Sequence, residues 1–192
     1  MNVVVEAFEV VGRRLELVRP ADPEALLSEE AFEREEFLPY WAELWPSALE
    51  LARALADRDL GGARVVELGC GLAVPSIVAA LGGAQVLATD WSPEALEFAQ
   101  ENAARNGVEL ELLHCSSSDP GPVLERAPFD LAVASDVLYE RRDVEPLLHL
   151  LPRLAPEALL ADPGRPAAAG FLAAVDAVEV APRVYRLRQE VT

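Results

Sequence analysis

RVVELGCGLAVPS, running from Arg64 to Ser76, reads as a β-strand that ends on an acidic residue, a turn with two glycines, and the start of a helix. In an open α/β sheet, ligands sit beyond the carboxyl ends of the strands, so Gly69 and Gly71 occupy the default binding position. Glycine there lets the backbone turn sharply and lets a ligand approach the main chain. A dinucleotide fingerprint, GxGxxG, needs its last glycine for close helix–strand packing beside a pyrophosphate. That place is Val74 here, in Gly69-Cys70-Gly71-Leu72-Ala73-Val74, which weakens the dinucleotide reading. Asp90 follows Gly69 by 21 residues, at the end of the next apolar run, where a carboxylate can accept two hydrogen bonds from a ribose diol. Any ribose-bearing cofactor uses such a group.

Outward from this loop the pattern is regular. Apolar runs at Arg64–Leu68, Gln85–Thr89, Val108–His114, Phe129–Ala134 and Ala158–Ala161 alternate with helical stretches at Val74–Leu81, Pro93–Asn106, Asp143–Leu154 and Ala167–Ala177. The fold class is therefore α/β, a Rossmann-like, doubly wound and mostly parallel seven-stranded sheet. VEVAPRVYRLRQEV ends the chain with two strand-like runs around Pro182-Arg183, and so short a connection joins only antiparallel neighbours. Before the core, alternation around Val11-Gly12-Arg13 predicts a hairpin of Val3–Val10 and Arg14–Val18. Helices are expected over Pro23–Phe37 and Ser47–Arg58. Residues 1–58 read as an extension or lid of the same domain, and residues 59–192 as its ligand-binding core.

Charge narrows the partners. Arg supplies all 16 basic residues, and 33 acidic ones bring the formal net charge to −17, a surface that repels phosphate backbones. Nucleic acid is not the expected partner. Nor is a membrane, since no apolar run approaches the ~18 residues of a span and MNVVVEAFEVV lacks a basic n-region. Cys70 and Cys115 are the only cysteines, without metal-ligand spacing, which suits a reducing cytoplasm.

After the fourth core strand stands SDVLYE, Ser135 to Glu140, facing the same crevice as the glycine loop. Asp136 can hydrogen-bond an amine and stabilise positive charge growing on nitrogen, and Tyr139 can offer a π-face to a cation. The plainer reading is a helix-capping Asp and a rim-filling Tyr. His114 and His149 lie on separate elements and are expected to be structural.

Together these motifs carry a resemblance. Glu67, Gly69, Gly71 and Ala73 form an ExGxGxA pattern that resembles the S-adenosylmethionine (SAM) loop of class I methyltransferases, with Ala73 where that family commonly has a third glycine. PYWAELWPSA, with Trp41 and Trp45-Pro46, and the D-x-x-Y of Asp136 to Tyr139 extend it. The chain is similar to the seven-strand protein-lysine methyltransferases of the nicotinamide N-methyltransferase-like group over about residues 39 to 165. Asp162-Pro163-Gly164-Arg165 looks like the DPGR of the branch that methylates the electron-transfer flavoprotein β-subunit. The resemblance implies that Trp45, Gly69, Gly71, Asp90 and Ser135 contact SAM, while Asp136 and Tyr139 hold the acceptor amine of a lysine-presenting protein. Glu67 would put negative charge near the SAM amino group, Cys70 would give a backbone contact only, and Trp91 and Ser117 complete the cofactor set. After the third strand, relatives place a Trp or an acidic side chain against adenine. Here stand Ser116, Ser117, Ser118 and Asp119. Small-molecule amine methylation, a dinucleotide oxidoreductase and a non-catalytic SAM- or partner-binding module are the alternatives to protein-lysine methylation.

Overall fold

A computed structural model describes residues 1–23, 26, 40–116 and 118–188. The helix expected over Pro23–Phe37 lies outside the described residues apart from Pro23 and Leu26, and so does Ser117. The chain opens with the expected hairpin, β1 (Val3–Val10) against β2 (Arg13–Pro20). Val11 and Gly12 both have positive φ, 47° and 72°, the left-handed pair that a two-residue type I′ turn requires. There follow α1 (Pro46–Ala56), β3 (Arg64–Leu68), α2 (Val74–Leu81), β4 (Gln85–Asp90), α3 (Pro93–Arg105) and β5 (Glu111–His114). A short α4 (Gly121–Leu124), β6 (Leu131–Ser135), α5 (Val144–Leu154), β7 (Glu157–Ala161), α6 (Pro166–Ala173), β8 (Ala177–Ala181) and β9 (Val184–Arg188) complete it.

Seven strands form one sheet in the order β5-β4-β3-β6-β7-β9-β8. The first five are parallel, and β9 runs antiparallel to both β7 and β8, so the expected closing hairpin is present. Helices cover both faces because neighbouring residues of the central strands point to opposite sides. Val65, Val133 and Leu159 pack with Leu51 and Leu55 of α1 and Ile77 of α2. Val66, Ala132 and Leu160 pack on the other side with Leu147 and Leu151 of α5 and Phe171 of α6. Each fully buried Leu or Phe contributes roughly 1.5–3 kcal/mol. Strand order reverses between β3 and β6, which opens a crevice beyond their carboxyl ends, where the loops after Leu68 and Ser135 emerge.

Two elements are shorter than their sequence patterns. Val108 gives its N–H to Ala103 O and Gly107, at φ 70°, gives its own to Ala104 O, so both residues close α3 and strand pairing starts only at Glu111. The alanine-rich helix stops at Ala173, because Ala177 is drawn into the ladder opposite Leu187.

Asn102 of α3 fastens the opening hairpin to the core. It is fully buried, its Oδ1 accepts the Val18 N–H at 2.7 Å, and its Nδ2 donates to Leu72 O at 3.2 Å in the glycine loop. Asn102→Ala strands two buried backbone groups, each costing about 1–3 kcal/mol. Urea unfolding should show a loss of about 2 kcal/mol or more, and an unchanged midpoint would contradict this role for the side chain.

Candidate active site

The crevice is a cavity of about 680 Å³, within the range of small-molecule sites. Of the residues expected to bind cofactor or acceptor, Trp45, Gly69, Cys70, Gly71, Asp90, Trp91, Ser135, Asp136 and Tyr139 line it. Glu67 does not. Its carboxyl group is fully buried beneath the loop, where Oε2 accepts the Ser76 N–H at 3.0 Å and the Ser76 hydroxyl, and Oε1 has no hydrogen-bond partner.

This placement answers the question raised by the loop. The start of a helix ordinarily offers free N–H groups to an anion. Here Pro75 has none, Ser76 gives its N–H to Glu67, and Ile77 gives its own to Ala73 O. Glu67 thus takes one N–H of the helix start from beneath the loop, on the side away from the cavity.

Asp90 sets the other wall. Its Oδ2 accepts the Gly71 N–H at 2.9 Å and its Oδ1 the Ser92 N–H at 3.0 Å, which ties the loop to the end of β4. Each oxygen keeps a lone pair for a further donor. Gly71 sits at φ 50°, and a Cβ on it would come within 3.2 Å of Trp41 O. Ala73 adopts φ 62°, a left-handed conformation that accounts for a small residue or glycine at that position. Cys70 is buried, and burial pushes its thiol pKa well up, reinforced by the charges of Asp90 and Glu67, so it is no nucleophile. Opposite the polar loop, Pro122, Val123, Leu147 and Leu150 supply an apolar wall. His114 lies on the rim with Nε2 2.7 Å from Trp91 O, and Ser116 Oγ bonds Ser118 Oγ at 2.7 Å in the turn beside it.

The same cavity holds an aromatic box. The Tyr40 and Tyr139 rings stack at 4.6 Å, and Trp45 stands edge-on to Tyr139 at 6.4 Å with its Nε1 donating to Tyr40 O. Asp136 lies buried beside it at φ 57°. From the sequence, Asp136 is expected to hydrogen-bond the acceptor amine or to cap the following helix. In the structure its Oδ1 already accepts from Arg165 Nη1, and Oδ2 has no hydrogen-bond partner. Burial lifts the Asp136 carboxyl above its usual range, with Arg165 pulling the other way. Tyr40 and Arg165 are functional neighbours that the sequence reading did not place at the site, although PYWAELWPSA and DPGR both contain them. Among the described residues no cluster of His, Cys, Asp and Glu could hold a metal ion.

Burial pushes the Glu67 pKa up to about 8, with the Ser76 hydrogen bonds opposing. Between its unfolded value near 4.5 and about 8, the folded chain holds a proton that the unfolded chain has lost. This carboxyl group therefore makes stability fall as pH rises through that window, by at most about 1.4 kcal/mol per unit. Glu67→Gln removes the titration, so its stability relative to the unsubstituted protein should rise steadily from pH 5 to pH 8 in denaturant unfolding. A difference independent of pH would contradict the assignment.

The geometry agrees with similarity to known proteins. Residues 49–174 match the family model described as ribosomal protein L11 methyltransferase (PrmA). The chain is 33% identical over 115 residues to histone-arginine methyltransferase METTL23 of Xenopus laevis, covering 57% of this chain and 49% of that protein. It is 35% identical over 137 residues to the electron transfer flavoprotein beta subunit lysine methyltransferase of the same organism, covering 66% and 53%. It thus spans about half the length of the curated relatives it matches. By fold, it superposes with a TM-score of 0.70 and 18% identity on the Thermus thermophilus 16S rRNA N2 G1207 methyltransferase RsmC, solved with AdoMet and guanosine, over 98% of this chain and 51% of that one. With its matching segment reaching from α1 through the whole parallel core, the chain belongs to the ribosomal protein L11 methyltransferase (PrmA) family.

Proposed function

We propose that this chain is a SAM-dependent N-methyltransferase acting on a lysine side chain of a protein. One observation carries the reading: Ser76 at the start of the helix gives its N–H to Glu67 beneath the loop, while a single cavity is lined by Asp90 and by Asp136 with its aromatic neighbours. A phosphate-free, cationic adenosyl cofactor suits such walls. When bound, SAM supplies an electrophilic methyl carbon on a cationic sulfur. Asp90 would accept from the ribose hydroxyls, the backbone of Gly69 to Gly71 would lie against the amino-acid end, and the apolar wall from Pro122 to Leu150 would take the adenine. Trp91, Ser135 and Ser117 fill out the cofactor set, while Trp45 and Tyr139 line the acceptor end. Tyr139 stacks on Tyr40 and the Arg165 guanidinium lies over the Trp45 and Tyr139 rings, so the π-face expected of Tyr139 goes to this chain's own cation. Asp136 Oδ2 would hold the acceptor nitrogen, so that the protein contributes mainly alignment at ~3–3.5 Å.

A protein acceptor is supported by the names of the relatives, two of which refer to histone arginine and to a flavoprotein lysine, and by the family's ribosomal protein. RsmC is an rRNA methyltransferase, but the likeness there is of fold alone, and a formal charge of −17 disfavours a polyanion. No helix among the described residues is long and apolar enough to cross a membrane. We take residues 1–58 as part of the same domain as the 59–192 core, and the cytoplasm as the place of action.

Incubation with isotopically labelled SAM and fractionated lysate, followed by mass spectrometry, should place label on a protein lysine. Label on nucleic acid or a small amine would overturn the acceptor. Asp136→Asn, chosen because Asn tolerates the left-handed backbone, should lower turnover by about 100-fold or more. Its S-adenosylhomocysteine affinity should stay within a few-fold, and turnover at the normal rate would remove Asp136 from the mechanism.

A further inference from the structure

Resting on the proposed methyl transfer to an amine, we infer that Arg165 determines the protonation state in which the acceptor nitrogen is held, by pairing with Asp136 from outside the cavity. Arg165 is not among the residues that line the cavity, whereas Asp136 is. Its Nη1 donates to Asp136 Oδ1 and lies 3.4 Å from Asp162 Oδ2, and its guanidinium sits 4.6 Å from the Tyr139 ring centroid and 5.6 Å from that of Trp45. The backbone that presents it is held firmly. Asp162 Oδ1 accepts the N–H groups of Gly164 and Arg165, each at 2.7 Å, and Asp136 itself donates its N–H to Ala161 O at 3.0 Å. The result is a carboxylate with one oxygen committed to a cation behind it and the other, Oδ2, buried and unpartnered.

This arrangement removes a chemical difficulty. A lysine amine must lose its proton before it can attack, yet a bare carboxylate in a dry aromatic box holds the ammonium form and raises its pKa. With Arg165 in contact with both carboxylates, Asp136, Asp162 and Arg165 together carry one negative charge in place of two, and Oδ2 of Asp136 still stands as a hydrogen-bond acceptor. The other groups that act on this carboxylate are the Ser47 hydroxyl, Asp162 and Tyr139, and Asp90 and Tyr40 act in turn on Tyr139. Asp162 is occupied by the two N–H groups above and by Arg165. Asp90, Arg142 and Asp143 stand elsewhere on the cavity wall. Arg165 is thus a positioning and specificity residue: it orients Asp136 and favours an uncharged nitrogen beside it.

The test uses n-butylamine as a lysine side-chain probe, titrated calorimetrically into wild type, Arg165→Gln and Arg165→Lys, with and without S-adenosylhomocysteine. At pH 7.5 Arg165→Gln should bind the amine about tenfold more tightly than wild type, as expected for removing a cation within contact of its counter-charge. The ratio should fall toward one as pH rises through about 10.5, where the probe amine loses its proton, and Arg165→Lys should stay close to wild type. In the wild type, affinity should rise between pH 7.5 and pH 10.5. A glutamine variant with wild-type affinity at pH 7.5, or a wild type that binds less tightly as pH rises, would overturn the proposal. The wild-type slope decides the matter if Arg165→Gln fails to fold. Failure of wild type to bind S-adenosylhomocysteine would count against the methyltransferase reading, while the amine titrations without it still judge Arg165.

Discussion

Two buried carboxyl groups hold the glycine loop in shape, and the rest of the site follows from where they sit. Glu67 reaches up from β3 to Ser76 at the start of α2, and Asp90 reaches across from β4 to the N–H of Gly71. Cys70 adds a backbone bond to Thr89 O at 2.9 Å, and the Thr89 hydroxyl returns to Glu67 O at 2.9 Å. Strand ends that are otherwise free to splay are thereby tied into one rim. Burying such groups is costly unless they are hydrogen-bonded, and three of the four carboxylate oxygens here are. A rim fixed in this way is preorganised, so a ligand need not order the loop in order to bind.

The fold was legible because a parallel sheet covered on both faces leaves a strong pattern. Central strands such as Arg64–Leu68 and the helix Val74–Leu81 fall where their apolar periods put them. Pattern was a weaker guide at the sheet edges, where one neighbour is missing. β5 lost Val108 to a helix cap, and β8 took Ala177 from a helix that composition alone would have extended. The short α4 escaped notice because Gly121-Pro122 reads as a turn.

The candidate site was legible in part for a similar reason. Residues whose position depends on their place along one element, such as Gly69, Asp90 and Asp136, line the cavity where spacing put them. Glu67 was placed correctly on its strand, yet its partner lies nine residues on across a turn, so the direction of its side chain was not apparent. Arg165 lies 29 residues from Asp136, and the two meet only because β6 and β7 are neighbours in the sheet. The N-terminal aromatic segment likewise acquires meaning through Tyr40 stacking on Tyr139, a contact between residues far apart in the chain. Charge shows the same division. The overall acidity is visible at once, whereas the contact of Arg165 with Asp136 is a product of topology.

The central claim is that the cavity takes a sulfonium cofactor in preference to a dinucleotide. Differential scanning calorimetry of the intact chain with SAM and with NADH at matched concentrations tests it most directly, since a ligand that binds only the folded state raises the melting temperature. The account requires a rise with SAM and none with NADH. A rise with NADH alone would contradict it.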